Sequence, residues 1–321
     1  VQERFYLGEA FLRAAVEDGS RIVQDYNLEQ DGYGYYQVNQ FRGRRWSPYE
    51  AYLAPVLKRP NLSVMDHTMA LRLTFDGRRC TGAVIRRGDS HEEVRARKGV
   101  ILTAGAFRSP QLLEVSGLGR KDVLESIGVP VRHELPEVGE NYYDHYALRM
   151  NWRLHGVRSL NESTRGWRLG LAVAQYLLRR KGILTLGPAL CHGFIATGHD
   201  GDRPDAQYLF MHASYENAAR RVLDKEPGMT IGIIQQRPKS AGWIHAASSD
   251  TRDAPAINPR FVSDPNDAAC VVTAMRRARR LVARPALAPL VAREMNPGAD
   301  ADSDEAMEAW ARATGQNLYH A

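Results

Sequence analysis

The strongest constraint on this chain lies at residues 99–119. Gly99-Val100-Ile101-Leu102-Thr103-Ala104-Gly105 is an uninterrupted run of apolar and small residues, as a strand buried on both faces requires. Ser109 and Pro110 follow as a suitable N-cap and first helical residue, and Gly117 can end the helix after Leu112 and Leu113. The pattern predicts a strand, a small-residue turn and a helix N-terminus. Such a turn lets backbone approach a ligand closely, and the first helical amides can meet an anionic or ribose-like group. The residues alone favour an ordinary tight turn over a ligand-binding one.

Composition narrows what surrounds this element. With 321 residues, 44% hydrophobic and 25% charged, the chain has the makings of a globular body of about two domains, not of a disordered or collagen-like one. Cys80, Cys191 and Cys270 are far apart and lack CxxC spacing, so buried inert thiols are expected, with no disulfide framework and no metal. The net charge of +6 raises the question of nucleic acid. Its basic clusters, Arg44 with Arg45, Arg179 to Lys181 and Arg276 to Arg280, are short and scattered, which fits solvated helix faces and no nucleic-acid partner. The apolar stretch Leu169–Leu178 lies between Arg168 and Arg179 and falls far short of the about 20 residues a bilayer crossing needs. It reads as a core helix, and no transmembrane segment is expected. Val1 opens no signal-peptide pattern.

Along the chain, residues 8–18 carry helical apolar spacing up to Gly19. Residues 25–45, rich in Gly, Tyr, Asn and Gln, have neither period and predict ordered loop or short irregular strands, with Gly32-Tyr33-Gly34 as turn chemistry. From Asn61 to Ala106, Asp76-Gly77 and Gly88-Asp89 punctuate a β-meander. Residues 147–260 mix strand alternation (148–152, 206–211, 230–234) with a helix near 166–180, an α+β pattern. Asp264-Pro265 starts a long helix to about Ala283, and a last helix begins near Asp302 with Glu305 placed as in a capping box.

Hydrolase and nucleotide motifs are missing: there is no GxSxG, HExxH, GxxxxGK[ST] or GxGxxG. Glu114-Val115-Ser116-Gly117-Leu118-Gly119 fails as a nucleophile elbow because Glu114 replaces its first glycine. Taken whole, however, Gly105-Ala106-Phe107-Arg108-Ser109-Pro110-Gln111-Leu112-Leu113-Glu114-Val115-Ser116-Gly117-Leu118-Gly119 resembles the second signature of the glucose-methanol-choline (GMC) family of flavin oxidoreductases. Four further segments keep that family's order: Gly43-Arg44-Arg45-Trp46-Ser47 with Ala51-Tyr52-Leu53, Val138-Gly139-Glu140-Asn141 with Asp144-His145, Pro238-Lys239-Ser240-Ala241-Gly242, and Asn317-Leu318-Tyr319-His320. The choline dehydrogenase and alcohol dehydrogenase branch is the most similar.

The resemblance implies an α/β plus α+β fold: a partial, Rossmann-like FAD-binding domain and a substrate-binding domain on an antiparallel sheet flanked by helices. It implies residues 1–57 as a connecting segment bordering the pocket, 58–146 as part of the FAD-binding domain, 147–306 as the substrate-binding domain and 307–321 as a return to the FAD-binding domain. Relatives open with a GxGxxG segment and continue past the position of His320, so the chain is expected to be the middle part of such an enzyme. The implied reaction is FAD-dependent oxidation of a small-molecule alcohol by proton abstraction and hydride transfer, the electron acceptor being unspecified; the alternative is a hydroxynitrile lyase. His320 is the implied catalytic base, since histidine can take a proton near neutral pH. Ala70, Gly105, Ala106 and Ser109 are implied on the adenosine side of FAD. Asn141, Asp144 and His145 are implied near the flavin, although loop capping also suits Asn and Asp. Arg237 falls near the substrate pocket, where its charge would oppose a quaternary ammonium and favour a neutral or acidic alcohol.

Overall fold

The computed structural model describes residues 4–187, 189–217, 220 and 222–318. The chain runs through α1 (Tyr6–Glu17), β1 (Gly32–Tyr35), β2 (Gln40–Phe41), β3 (Arg44–Arg45), β4 (Thr68–Asp76), β5 (Arg79–Arg87), β6 (Ser90–Arg95) and α2 (Gly105–Glu114). Next come β7 (Leu118–Gly119), α3 (Lys121–Ser126), β8 (His133–Glu134), β9 (Tyr146–Leu154), α4 (Leu160–Ser163), α5 (Gly166–Arg179), β10 (Ala189–Ile195), β11 (His199–Asp202) and β12 (Ala206–Met211). It ends with β13 (Tyr215–Asn217), β14 (Val222–Leu223), β15 (Gly228–Gln235), β16 (Trp243–His245), β17 (Ala256–Asn258), α6 (Pro265–Val282), β18 (Val291–Asn296), α7 (Asp304–Thr314) and β19 (Gln316–Asn317). Two compact units result. One gathers the chain up to Pro55, His145–Lys239 and the residues from Val262 on; the other gathers Val56–Asp144 and Ser240–Phe261.

The first unit is an antiparallel sheet in the order β1-β10-β12-β15-β9-β18, with β19 also paired to β9. One row across it, Tyr33, Gly193, Tyr208, Ile233 and Leu148, faces the helices. Phe11 of α1 stacks on Phe210 at 4.4 Å, and the Tyr208 hydroxyl donates to the Ala274 carbonyl of α6 at 2.6 Å. Gly193 has to be glycine, because a Cβ there would lie 2.4 Å from the Tyr33 ring. Gly32-Tyr33-Gly34 accordingly belongs to a strand and not to a turn. The α6 start follows the sequence closely: the Asp264 side chain accepts from the Asn266 amide at 2.8 Å, with Pro265 at the first helical position.

The second unit holds the expected meander, β4-β5-β6, turning at the two Gly-containing dipeptides. Its apolar cluster, Leu73, Leu112, Val115 and Ala246, joins β4 to α2 and to the residue after β16.

Four local expectations give way. Residues 99–104 form no strand, and Ile101 is 89% exposed; a parallel strand exists only through its pairing, and none of the described residues pairs with this run. Helix α2 begins at Gly105, so Ser109 and Pro110 lie inside it and Pro110 withholds the amide that the Ala106 carbonyl would accept in a regular helix. Helix α7 is capped by Ser303, whose side chain accepts from the Ala306 amide, so Glu305 is no capping-box partner. In α5 only Ala172 is buried, which overturns the reading of Leu169–Leu178 as a core helix.

Cys191 and Cys270 are buried, and burial pushes the Cys270 thiol up to about 12, as suits inert thiols; Cys80 is half-buried. Burial also holds His192 and His212 at about 4, with neither ring nitrogen of either residue hydrogen-bonded within the described residues. Tyr26, Tyr36 and Phe194 surround the His192 ring, and Phe5 lies 4.9 Å from His212. Both histidines are neutral when folded at neutral pH but protonate near 6.5 when unfolded, so stability is full above 6.5 and is lost as pH falls toward 4. Each contributes up to about 3 kcal/mol of that loss. Urea unfolding between pH 7 and 4.5 should show the decline, and His192→Phe should shallow its slope by about one proton; an unchanged slope would refute the assignment.

Candidate functional site

The second unit contains a cavity of about 430 Å³, lined by Ala106, Ser109, Pro110 and Leu113 of α2, the stretch Val138–Tyr143, and Ile244 of β16. Three stretches make it, the last two of them far apart in sequence. Their approach is fixed by backbone: the Ile244 amide donates to the Gly139 carbonyl at 2.7 Å, and Tyr142 and Gly242 exchange amide bonds at 3.0 and 2.8 Å. Gly139, at φ +83°, is required here, since a Cβ would lie 2.3 Å from the Ile244 carbonyl oxygen.

Beneath the cavity lies a buried polar chain. Glu114, fully buried at the end of α2, accepts from the Ala246 amide at 2.6 Å and faces His245 Nδ1 at 2.7 Å. The other ring nitrogen, Nε2, lies 3.2 Å from Glu140, which also pairs with Arg120 at 2.5 Å. Burial raises the Glu114 carboxyl above its ordinary value, with its hydrogen bonds to Ala246 and His245 pulling the other way. A carboxyl group thus stands against each nitrogen of the His245 ring.

The signature stretch thus divides by task. Arg108 donates to the Thr251 and Asp253 carbonyls at 2.8 and 3.0 Å, and Gln111 donates to Asp253 at 2.9 Å. Ser116 accepts from the Leu73 amide at 2.8 Å, and the Gly117 carbonyl accepts from Arg132 and His133. Arg108, Gln111, Glu114, Ser116 and Gly117 hold the scaffold; Ala106, Ser109, Pro110 and Leu113 face the cavity. Gly105, at φ +82°, opens the helix with free space around its Cα.

Of the remaining candidates, Ala70 sits on β4, opposite Ile85 and against the apolar cluster. Asn141, at φ +57°, lines the cavity and donates to Glu137 at 2.8 Å. Asp144 is buried and accepts from the Tyr142 hydroxyl at 2.8 Å. His145 begins the next segment of the first unit, just ahead of β9. Arg237 donates to the Pro204 carbonyl at 3.2 Å, lies 3.8 Å from Asp200, and borders a space of about 10 Å³. His320 lies outside the described residues; β19, three positions before it, pairs Asn317 with Tyr146. The structure brings Ala106, Ser109 and Asn141 to one cavity, whereas sequence reasoning had put Asn141 apart from the other two and had no reading of Glu114, His245 and Glu140 as a network. The available signals were a lone acid amid Leu112, Leu113 and Val115, and a lone histidine following Trp243 and Ile244.

Comparison with known proteins gives the chain a family. Two family models, both described as GMC oxidoreductase, match residues 1–147 and 238–321. The chain belongs to the GMC oxidoreductases. It is 31% identical over 318 residues to an alcohol dehydrogenase (acceptor) of Pseudomonas putida, covering 98% of this chain and 57% of that one. It is 35% identical over 319 residues to an oxygen-dependent choline dehydrogenase of Pseudomonas putida (strain GB-1), covering 98% and 56%. The chain therefore spans little more than half the length of these relatives. Among solved structures, an FAD-dependent oxidoreductase from Chaetomium thermophilum superposes with a TM-score of 0.86 at 19% identity, covering 99% of this chain and 62% of that one. Pyridoxine 4-oxidase from Mesorbium loti gives 0.83 at 21%, covering 98% and 58%. These two likenesses establish the fold.

Removing one member of a buried charged network leaves the others uncompensated, at a cost of about 3–5 kcal/mol. Glu114→Ala should therefore lower stability by roughly 3 kcal/mol and Glu114→Gln by less, with coupling to His245→Ala in a double-mutant cycle. Urea denaturation measures all of these; a Glu114→Ala loss below about 0.5 kcal/mol would contradict the structural role given to this residue.

Proposed function

We propose that the protein oxidises a small-molecule alcohol to its carbonyl compound with FAD. One observation carries the reading: residues from two separate family segments, Ala106 and Ser109 from one and Asn141 from the other, line a single cavity. The residues fit such a group. The α2 lining is small or apolar, Gly105 leaves open space at the helix start, and the nearest carboxylate, Glu140, is committed to Arg120 and His245. Gly105, Ala106 and Ser109 would hold the adenosine side with Ala70 contributing backbone, while Asn141, Asp144 and His145 would stand toward the flavin. When bound, FAD supplies the acceptor for the hydride leaving the alcohol carbon.

His320 is the proton acceptor in this reading. Its imidazole takes the hydroxyl proton as the C–H bond breaks, and the substrate leaves as a carbonyl compound. The support is its match to the family's Tyr-His segment, together with relatives named as choline and alcohol dehydrogenases. Arg237 weights the substrate toward neutral or acidic alcohols, because a fixed guanidinium repels a quaternary ammonium. The residues at 58–146 serve the FAD-binding part in this reading, and most of 147–306 the substrate-binding part.

The test is a visible spectrum of the protein expressed from its complete reading frame, followed by anaerobic addition of primary alcohols. Flavin bands that bleach with one of them are expected, and bands that bleach with none would sink the proposal. His320→Ala should keep the flavin and lose about 10²- to 10⁴-fold in kcat, the usual contribution of a general base. Ser109→Trp should fill the cavity and lower flavin content, and Arg237→His should raise activity on choline relative to simple alcohols.

A further inference from the structure

Helix α5 is turned inside out relative to an ordinary surface helix. At 3.6 residues per turn, Trp167, Leu171, Ala174 and Leu178 form one stripe and Gly170, Val173 and Leu177 the next, and every one of them is exposed. Exposure reaches 83% at Leu178, 71% at Trp167, 65% at Leu177 and 60% at Leu171. The opposite stripe, Arg168, Ala172 and Tyr176, is the less exposed one. No acidic residue occurs from Arg165 to Lys181, whereas Arg165, Arg168, Arg179, Arg180 and Lys181 bracket the helix.

The fold adds a second element to this surface. In the β2–β3 hairpin, Gln40 donates to the Thr185 carbonyl at 2.5 Å, and Gly43 lies so close that a Cβ would sit 2.2 Å from the Arg180 carbonyl oxygen. The hairpin's Phe41 and Trp46, both exposed, lie 5.0 Å apart beside exposed Arg42, Arg44 and Arg45. Glu50, the acid near Arg45, is bonded to Ser47. Basic clusters that are far apart in sequence thus collar the C-terminal end of one apolar helix.

We propose that α5 and the β2–β3 hairpin form an interfacial docking surface for an anionic lipid membrane. The helix lies in the headgroup plane with its uncharged face among the acyl chains, Trp167 and Trp46 at the interface, and the arginines on lipid phosphates. At fourteen residues and about 21 Å it lies on a bilayer and does not cross one; no described helix is long and apolar enough to span. Charge selects this occupant over a second copy of the chain. Both ends of the helix are cationic with no acid between them, so a symmetric pairing of two such faces sets cation against cation.

Flotation of the full chain with phosphatidylcholine vesicles containing about 30% phosphatidylglycerol, at about 0.1 M salt, tests the proposal. The chain should float with these vesicles and far less with phosphatidylcholine alone. Leu171→Glu with Leu178→Glu changes only exposed positions and should abolish flotation with an unaltered circular dichroism spectrum. Arg179→Gln with Lys181→Gln should weaken binding to the anionic vesicles roughly thirtyfold, at about 1 kcal/mol per basic residue near the surface, and leave binding to neutral vesicles unchanged. Absence of flotation overturns the proposal, as does unchanged flotation of the Leu171→Glu, Leu178→Glu variant. A wild-type dimer in sedimentation that this variant dissociates, without vesicle binding, would assign the face to a second copy instead.

Discussion

A carboxylate removed from water must find donors, and the second unit is arranged around that demand at Glu114. The Ala246 amide and the His245 ring meet it, and both come from a segment 131 or more residues away in sequence. Bringing them there draws β16 against the Val138–Tyr142 stretch, and that pairing forms the far wall of the cavity beside α2. The cavity is thus a by-product of a satisfied buried acid. The acid lies close beneath the lining without being part of it.

This arrangement separates two jobs within one motif. Residues that touch neighbouring backbone, such as Arg108 and Gln111, tolerate little change because each closes a specific hydrogen bond. Residues of α2 facing the cavity are small or apolar, and they leave open space there. Pro110, among the cavity-facing residues, also interrupts the amide ladder of α2 at Ala106.

What the sequence revealed depended on how local the cause was. The α6 start was legible because Asp264 and Pro265 act within one turn, and the β4-β5-β6 meander because its Gly-containing turns do the same. The α2 start was not: Ser109-Pro110 is a good local N-terminus, yet Arg108 and Gln111, bonded to residues 251–253, hold helical backbone through that point. Glu114 was read against a hydrolase pattern because its partners were invisible from its neighbours. The apolar run in α5 misled for a related reason, since apolar character signals removal from water but does not say what does the removing. For the candidate site, the lining residues were accessible through family resemblance, whereas the supporting network required the fold.

The division of the chain has a consequence for biosynthesis. Each unit is assembled from segments that alternate along the sequence, so the second cannot close until Phe261 has been made. Once Asp144 has been made, the second unit still waits for Ser240–Phe261, a delay of about 5–20 s at ordinary elongation rates. Until then the Leu73, Leu112 and Val115 surface lacks Ala246, and Glu114 lacks its donors. The nascent chain thus carries an open apolar face and an unsatisfied acid together, the kind of transiently exposed surface that makes a partly made chain prone to aggregate.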